Sequence, residues 1–335
     1  MNPVLSVVVI GRNEGERLTR CLRSIRDMKN PGGDIELIYV DSASVDNSVE
    51  NARSMGARVI AVKPARPTAA LGRNAGWRAA TAPIVLFLDG DTILHPDFVV
   101  ESLKEFSDPA IAAVWGHRRE IHPEQSIYNR LLDLDWIYKP GLTEFCGGDV
   151  LFRRSALEDV NGYDETLIAG EEPEMCRRLR GRGYKILHVD RPMTGHDLAM
   201  TKFSQYWKRA TRAGYAYAEV SDRFASTNMP FWADEVVRNR NRALAMLTIF
   251  SVAAVASFAL LTPLPLLGTL AFYSLLAVRS ALKIRWKSPS LPTLIGYGFH
   301  SHFQQVPIYF GQLQYRKDRK IGRSRGLIEY KEGSK

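Results

Sequence analysis

The sequence predicts an α/β protein with a largely parallel sheet, followed by a membrane-associated helical segment. The first 190 residues alternate short apolar runs with amphipathic stretches, which is the pattern of repeated strand–helix units. Residues 243–278 then form a run of 36 residues without a charged side chain, which is typical of membrane-spanning helices. The chain has 335 residues, enough for one large domain with an appendage or for two ordinary domains.

Four strands are predicted before residue 90, because four apolar runs rich in Val, Ile and Leu have the length of a buried strand. The runs are residues 5–10, 35–40, 59–62 and 84–88. After the first run, Leu18, Leu22 and Ile25 recur at helical spacing, which completes a strand–helix unit. The fourth run ends at Asp89-Gly90-Asp91. Charged side chains therefore appear where a buried strand emerges, the usual position of ligand sites in open α/β sheets.

The uncharged run 243–278 is predicted to form a membrane hairpin. Thr262-Pro263-Leu264-Pro265 interrupts the run, and because prolines are poorly tolerated inside a helix we expect the turn there. Basic side chains lie on both sides of the run, which by the positive-inside tendency places both ends in the cytoplasm. A buried helical pair of a soluble protein is the alternative.

The basic charge of the chain lies in its C-terminal tail. The formal net charge is +9, and residues 279–335 contain 12 Lys and Arg against 3 Asp and Glu, so the rest of the chain is balanced. Residues 291–313 predict an interfacial helix, and residues 314–335 predict a basic tail that favours an anionic membrane. The predicted organisation is a folded domain of residues 1–230 and a membrane-associated region of residues 231–335.

Other features exclude several classes of protein. Because residues 1–278 carry balanced charge, we expect no nucleic-acid partner, which would require a basic face on the folded domain. Cys21, Cys146 and Cys176 are widely spaced, so we expect neither a disulfide framework nor a zinc cluster. The N-terminus runs directly into a strand, and no signal peptide is expected. These features place the first domain on the cytoplasmic face of the inner, cytoplasmic membrane.

Acidic and basic side chains follow the predicted strands. Asp89 and Asp91 can converge because Gly90 permits a tight turn, and two carboxylates so placed suit Mg or Mn ions; capping of a helix is the alternative for such a pair. Asp41 ends the second strand, and Arg73 lies upstream of the fourth. A nucleotide diphosphate needs such groups: a hydrogen-bond partner for the base, a cation near phosphate and a bridging metal.

A second acidic motif, Gly170-Glu171-Glu172, precedes a segment with helical spacing. Pro173 fits the first turn of that helix. Acidic side chains at this place complement the helix dipole in any case. One of the carboxylates could also act as a general base that takes a proton from an incoming hydroxyl.

Seven motifs occur in a fixed order along the first half of the chain. They are Leu5-Ser6-Val7-Val8-Val9-Ile10 with Asn13-Glu14, Val40-Asp41-Ser42-Ala43-Ser44-Val45-Asp46, Gly72-Arg73-Asn74-Ala75-Gly76, Phe87-Leu88-Asp89-Gly90-Asp91, Gly147-Gly148-Asp149-Val150-Leu151-Phe152-Arg153-Arg154, Gly162-Tyr163-Asp164-Glu165 and Gly170-Glu171-Glu172. The series resembles the family 2 inverting glycosyltransferases of GT-A fold, over about residues 4–190. It looks like the membrane-associated members that assemble bacterial polysaccharides and envelope glycans.

The resemblance implies a role for single positions. Asp41 would accept a hydrogen bond from the base of the donor, Arg73 would lie against its ribose or diphosphate, and Asp91 would hold a divalent Mn or Mg ion. The implied donor-binding residues are Asn13, Glu14, Asp41, Arg73, Asp89 and Gly148. The implied metal ligands are Asp91, Asp89 and His196, since some GT-A enzymes complete the metal site with a His from this region; a purely structural His196 is the alternative.

Glu172 falls where the family usually has an aspartate that deprotonates the acceptor hydroxyl. Glu is one methylene longer, which makes Glu171 the competing candidate for the base. The implied reaction transfers one sugar, with inversion, from a UDP- or GDP-type donor to a lipid-linked or saccharide acceptor at the cytoplasmic membrane face. The alternatives are a polyprenyl-phosphate glycosyl synthase, whose phosphate acceptor needs no base, and a non-catalytic membrane scaffold, against which the full acidic set speaks.

Overall fold

The computed structural model describes residues 3–63 and 66–323. Contacts group the described residues into two compact units, the first made of residues up to 122 together with 136–199, and the second of 123–135 with 200–323. Residues 200–230 therefore group with the C-terminal helices. The predicted division into a folded domain of residues 1–230 and a membrane-associated region of residues 231–335 stays a prediction.

The first unit is an α/β fold whose strands all belong to one sheet. The strands are β1 Leu5–Gly11, β2 Ile35–Asp41, β3 Arg58–Ala61, β4 Ile84–Asp89, β5 Thr92–Leu94, β6 Ile111–Glu120, β7 Gly141–Thr143, β8 Val150–Arg153 and β9 Lys185–His196. The helices are α1 Glu16–Arg26, α2 Ser48–Ser54, α3 Ala69–Ala79, α4 Phe98–Ser102, α6 Arg154–Asp159 and α7 Glu171–Gly181, with a 3₁₀ helix at Leu103–Ser107. The four strands expected before residue 90 are all present.

The strand order is β3-β2-β1-β4-β8-β6-β9-β5, with β7 paired to β9. Strands β1 to β4 pair in parallel, whereas β8 runs antiparallel to both β4 and β6. The predicted α/β fold class is confirmed, and the sheet is mixed beyond β4. Parallel pairing brings the carboxyl ends of β1, β2 and β4 to one edge of the sheet, which is where ligands bind in such folds.

The core of the first unit is formed by apolar side chains of the central strands and of the helices packed on them. The apolar side chains of β1 and β4 are buried along nearly the whole of both strands, as expected for parallel strands covered on both faces. Helix α1 contributes Leu18, Leu22 and Ile25 to the same core, with the spacing read from the sequence. Burial of this apolar area is the main stabilising contribution to the unit.

The second unit is helical. Its helices are α5 Ile127–Asp133, α8 Phe203–Phe224, α9 Ala233–Ala259, α10 Leu264–Lys283, α11 Leu291–Phe303 and α12 Gln305–Lys320, with 3₁₀ helices at Leu134–Trp136, whose last residue belongs to the first unit, and at Arg285–Lys287.

Helices α9 and α10 form the expected hairpin. Leu266 donates its backbone N–H to Ser257 Oγ at 3.2 Å across the turn, and the Phe250 and Tyr273 rings stack with centroids 5.3 Å apart. Pro265 lies in the first turn of α10, where a missing N–H is harmless. Both helices are long and apolar enough to cross a membrane.

The segment 291–313, expected as one interfacial helix, is two helices. Helix α11 ends before Gln304 and α12 begins after it. The reason is Pro307, which lies in the first turn of α12, because proline lacks the N–H that a continuous helix would need there. Of the predicted basic tail, residues 314–320 extend α12, while residues 324–335 lie outside the described residues.

The half-buried Asp135 connects residues 123–135 to the helices of the second unit. Tyr297 Oη donates to Asp135 Oδ1 at 2.7 Å, and Lys287 Nζ donates to the neighbouring Leu134 carbonyl at 2.8 Å. Although burial opposes ionisation, His300 and Arg209 outweigh it and lower the pKa of Asp135 to about 2. The side chain is therefore an anion at neutral pH, and it links the segment to the surrounding helices.

Candidate active site

The candidate site lies at the carboxyl edge of the parallel strands. In the sheet register, Gly11 at the end of β1 faces Asp41, and Ile10 faces Asp89 on the other side. The two aspartates therefore flank the end of β1, and each follows a strand that is buried. This placement agrees with the expectation drawn from the sequence.

Hydrogen bonds through Ser44 connect Asp41 to Asn13. Tyr39 Oη donates to Asp41 Oδ1 at 3.1 Å and Ser44 N–H donates to Asp41 Oδ2 at 3.0 Å. Ser44 Oγ in turn accepts the backbone N–H of Asn13 at 2.9 Å. Asn13 has a φ of 55°, a conformation that Asn tolerates better than most residues. The loop that would receive a base is thus fixed by its own hydrogen bonds.

Glu14 lies beside the Asp89 turn, and its donor-binding role stays a prediction. Its Cγ would come 3.0 Å from a Cβ placed on either Gly11 or Gly90. Its carboxylate pairs with Arg17 at 3.1 Å. Side chains at Gly11 or Gly90 would therefore push Glu14 out of this position.

Arg73 is the centre of an ion-pair cluster. Its guanidinium lies 2.9 Å from Asp89, 2.9 Å from Glu172 and 3.1 Å from Glu171, and the side chain is 3% exposed. These partners come from β4 and from the first turn of α7. Burial alone would disfavour the charge, but Glu172 and Asp89 outweigh it and hold the pKa of Arg73 well above its ordinary value.

Glu172 differs from an ordinary carboxylate in its proton affinity. Burial and the adjacent Glu171 charge raise the pKa of Glu172 to about 7, although Arg73 acts in the opposite direction. A carboxylate with this pKa can accept a proton near neutral pH and release it again. Of the two candidate bases, Glu172 is the more exposed, with 14% of its side chain accessible against 6% for Glu171.

Gly148 packs directly on this cluster. A Cβ at this position would lie 2.4 Å from Arg73 Nη2, 3.1 Å from Asp89 Oδ2 and 3.3 Å from Glu172 Oε1. Any side chain here would displace the guanidinium. Gly148 therefore leaves the space that the side chains of Arg73, Asp89 and Glu172 occupy. Its expected role in donor binding stays a prediction.

Asp91 and His196 form a separate pair. His196 Nε2 lies 3.5 Å from Asp91 Oδ2, whereas Asp89 contacts Arg73 and Arg118. Ligands about 2.1 Å from a common Mg or Mn ion can be 3.5 Å apart, so this oxygen–nitrogen pair fits such an ion. Within residues 3–63 and 66–323, no group of three His, Cys, Asp or Glu side chains is arranged for a metal. The metal roles of Asp91, Asp89 and His196 stay predictions.

The sequence analysis missed Arg118. Its guanidinium lies 3.6 Å from Asp89 and 3.5 Å from Asp149, above the Trp136 ring at 5.1 Å from the centroid. Asp149 accepts a hydrogen bond from Thr194 Oγ1 at 2.7 Å, and burial raises the pKa of Asp149 despite Arg118. Arg118 lies within no motif, so only the pairing of β6 with its neighbours reveals its position.

Comparison with known families decides what this fold and site belong to. The sequence profile described as "Glycosyl transferase family 2" matches residues 6–160, and the profile "Glycosyl transferase family group 2" matches residues 84–284. The second match alone covers more than half of the chain. The protein belongs to the family 2 glycosyltransferases. The resemblance noted from the seven motifs is therefore confirmed.

Curated relatives are similar to this glycosyltransferase over about two thirds of its length or less. Glycosyltransferase AglE of Haloferax volcanii is 22% identical over 65% of this chain and 74% of its own length. The O-antigen chain rhamnosyltransferase WbaN of Salmonella anatum is 24% identical over 59% of this chain and 73% of its own. The pre-mycofactocin glycosyltransferase of Mycobacterium tuberculosis is 28% identical over 58% of this chain, which spans 42% of that relative.

Two solved structures share the GT-A fold. The mannosyltransferase PcManGT from Pyrobaculum calidifontis, in complex with GDP-Man and Mn²⁺, superimposes with a TM-score of 0.66 at 20% identity, covering 95% of this chain and 88% of the other. Residues 1–349 of TarS from S. aureus superimpose with a TM-score of 0.51 at 14% identity, covering 95% and 92%. At these identities the likeness concerns the fold.

Substitution of Gly148 tests the packing around Arg73. Because a Cβ would overlap the guanidinium, we expect Gly148→Ala to lower glycosyl transfer by about 10²-fold, the scale expected when reacting groups are displaced by about 1 Å. Overpacking should also lower the free energy of unfolding by about 1–3 kcal/mol. Steady-state kinetics and thermal melting measure the two effects.

Gly147→Ala is the matched control, since a Cβ at Gly147 meets no atom within 4 Å. It should leave both activity and melting temperature near those of the unchanged enzyme. Equal behaviour of the two alanine variants would show that the contact between Gly148 and Arg73 is unimportant.

Proposed function

We propose that this glycosyltransferase inverts the anomeric centre of a UDP- or GDP-type sugar donor and transfers the sugar to a lipid-linked or saccharide acceptor at the cytoplasmic membrane face. The observation that carries the proposal is the proton affinity of Glu172. A buried carboxylate with a pKa of about 7 lies beside Arg73, which also contacts Asp89. One cluster thus contains a carboxylate suited to accept a proton and the first aspartate of the Asp89-Gly90-Asp91 turn.

In the proposed reaction, Glu172 accepts the proton of an acceptor hydroxyl as its oxygen attacks the anomeric carbon from the face opposite the diphosphate. The bond from that carbon to the donor's diphosphate oxygen breaks, which inverts the centre. The nucleoside diphosphate leaves with its electron pair, and the proton stays on Glu172. Arg73 favours the anionic form of Glu172 before the transfer and lies close enough to Asp89 to counter charge on the donor side.

The donor side is supported by the fixed Asp41 loop. Asp41 is held by Tyr39 and Ser44, so its placement needs no rearrangement when a base binds. Structural neighbours were solved with GDP-Man and with UDP-GlcNAc, which supports a nucleotide-diphospho-sugar as the donor class.

A divalent Mn or Mg ion is part of the proposal. Asp91 and His196 would hold it, with Asp89 assisting from the same turn. The ion, when bound, would neutralise charge on the departing diphosphate. A carboxylate with an imidazole suits Mn in particular, since imidazole is a softer ligand than Mg prefers.

The membrane is proposed as the place of the reaction. Helices α9 and α10 carry exposed apolar side chains along their length, including Val255, Phe258 and Leu275, and have 27 and 20 residues. A helix of about 20 residues spans the hydrocarbon core. The relation to an O-antigen chain rhamnosyltransferase supports an acceptor at an envelope membrane.

Replacement of the base should separate chemistry from binding. We expect Glu172→Gln to lower kcat by about 10²–10⁴-fold while donor affinity stays nearly unchanged, because the amide cannot accept the proton. In the unchanged enzyme, kcat/KM should rise as the pH passes upward through about 7, since only the ionised Glu172 accepts a proton. This rise should disappear in the variant.

Glu171→Gln is the comparison, as Glu171 contacts the same guanidinium. If Glu171→Gln is folded and inactive with unchanged donor affinity, while Glu172→Gln remains active, Glu171 is the base. Activity in both variants would favour a phosphate acceptor, which needs no base.

The metal is tested at Asp91. Nucleoside diphosphate binding should require Mn²⁺ or Mg²⁺, because two phosphates approach the carboxylates of Asp89 and Asp91 only with a cation between them. Asp91→Asn should abolish turnover and weaken Mn²⁺-dependent binding of UDP or GDP in calorimetry. Equal nucleotide affinity in excess chelator, or near-normal activity of the variant, contradicts the metal role.

The hairpin is tested by single cysteines. The native thiols Cys21, Cys146 and Cys176 are buried, so a membrane-impermeant maleimide should report introduced cysteines. In intact spheroplasts we expect labelling of Thr262→Cys in the turn and protection of Ser288→Cys, which follows α10. Both should react after permeabilisation. Protection of Thr262→Cys before permeabilisation, or release of the full chain by high salt, would favour a hairpin packed in protein.

A further inference from the structure

Glu120 is a buried carboxylate with no role in the reaction described above. It is the last residue of β6, and its side chain has 0% exposure. Its two oxygens accept the backbone N–H groups of His122 and Leu198, both at 2.9 Å. Burying a carboxylate is costly unless it is paired and hydrogen-bonded. The side chain that faces it is therefore informative.

That side chain is His196. Glu120 and His196 are register partners in the parallel pair of β6 and β9, so their side chains start from neighbouring positions. His196 Nδ1 lies 3.9 Å from Glu120 Oε2, and Nε2 lies 3.5 Å from Asp91 Oδ2. The imidazole is thus placed between two carboxylates, one at each nitrogen.

The surroundings restrict the imidazole further. The Trp136 ring meets it nearly edge-on, with centroids 4.9 Å apart and an interplanar angle of 82°. His196 is also paired with Thr92 of β5, which fixes the backbone on its other side. Rotation of the ring is therefore limited by packing, and its two nitrogens keep different neighbours.

We propose that Glu120 is a positioning residue that holds His196 for the metal. In this structure Glu120 Oε2 lies 3.9 Å from Nδ1, beyond hydrogen-bond distance. When an ion binds at Nε2, Glu120 would accept the Nδ1–H of the neutral ring, which directs the Nε2 lone pair to the side of Asp91. A carboxylate behind a histidine ligand fixes the ring and its tautomer and raises its basicity. This inference rests on the proposed metal-dependent reaction.

A second histidine–carboxylate pair on the same two strands provides a control. His117 of β6 lies with Nε2 2.8 Å from Oδ1 of Asp190 in β9. Asp190 is 80% exposed, so removing its charge leaves the Asp91 side untouched. Asp190→Asn thus removes a pair of the same kind between the same strands, without a link to the metal.

The experiment measures Mn²⁺ binding to the full-length protein in detergent by electron paramagnetic resonance, with no donor present. We expect Glu120→Gln to weaken Mn²⁺ binding by about 10–100-fold. Pulsed measurements should detect ¹⁴N coupling from His196 to Mn²⁺ in the unchanged protein and in Asp190→Asn. This coupling should be reduced in Glu120→Gln at a Mn²⁺ concentration that restores occupancy. If Glu120 only stabilised the fold, Glu120→Gln would leave this ¹⁴N coupling unchanged.

Glu120→Asp covers the case in which the Gln variant fails to fold. It keeps a carboxylate but withdraws it from the ring by one methylene, and we expect weakened Mn²⁺ binding. Mn²⁺ affinity and ¹⁴N coupling equal to those of the unchanged protein, in either folded variant, overturn the role of Glu120. If the unchanged protein itself binds no Mn²⁺, the proposed metal is wrong, and Glu120 then holds His196 for no ion. The two failures are thus distinguishable.

Discussion

The buried guanidinium of Arg73 is the interaction on which the rest of the site depends. Three carboxylates within 3.1 Å of it come from β4 and α7, elements far apart in the sequence. Carboxylates at such proximity repel one another strongly in a poorly solvated site. Without Arg73, the carboxylates of Glu171 and Glu172 would lie in the first turn of α7 with no cation between them, and the proposed base would lose its counter-ion.

The cluster contains more acid than base, and this imbalance has a chemical consequence. Arg73 and Arg118 face the carboxylates of Asp89, Asp149, Glu171 and Glu172. Binding a proton lowers the excess negative charge, and Glu172, with a pKa of about 7, is the carboxylate that binds one near neutral pH. The same excess opposes an incoming diphosphate and favours a divalent cation. The proposed proton acceptance and the proposed metal dependence thus have the same electrostatic cause.

The sequence predicts the parts of the site that depend on short-range pattern. Strand β4 followed by Asp89, and the helix after Gly170, could both be recognised because burial, turns and helical spacing are local properties. Gly148 is different. The sequence shows that Gly148 lies in a motif. Its contact with Arg73, however, requires two segments more than 70 residues apart in the sequence to pack so closely that a Cβ atom would not fit between them. No local pattern encodes such an approach.

Arg118 and Glu120 were missed for a related reason. The sequence of β6 is that of an ordinary strand with a polar end. Only the pairing of β6 with β8 and β9 brings Arg118 and Glu120 to the site. That pairing includes register shifts between Trp115 and Arg118, which change the face that later side chains occupy. The break between α11 and α12 was also missed, although Pro307 was visible, because an interfacial amphipathic pattern continues across it.

Two kinds of constraint therefore meet at the carboxyl edge of the sheet. The Arg73 cluster is held by charge, through ion pairs with Asp89, Glu171 and Glu172. The Asp91–His196–Glu120 arrangement is held by strand register, since His196 is paired with both Thr92 and Glu120 in the sheet. A base must change its protonation during each turnover, whereas a metal ligand must keep its geometry. Strand pairing thus fixes the residues proposed to hold the metal, whereas ion pairs surround the residue proposed to change its protonation.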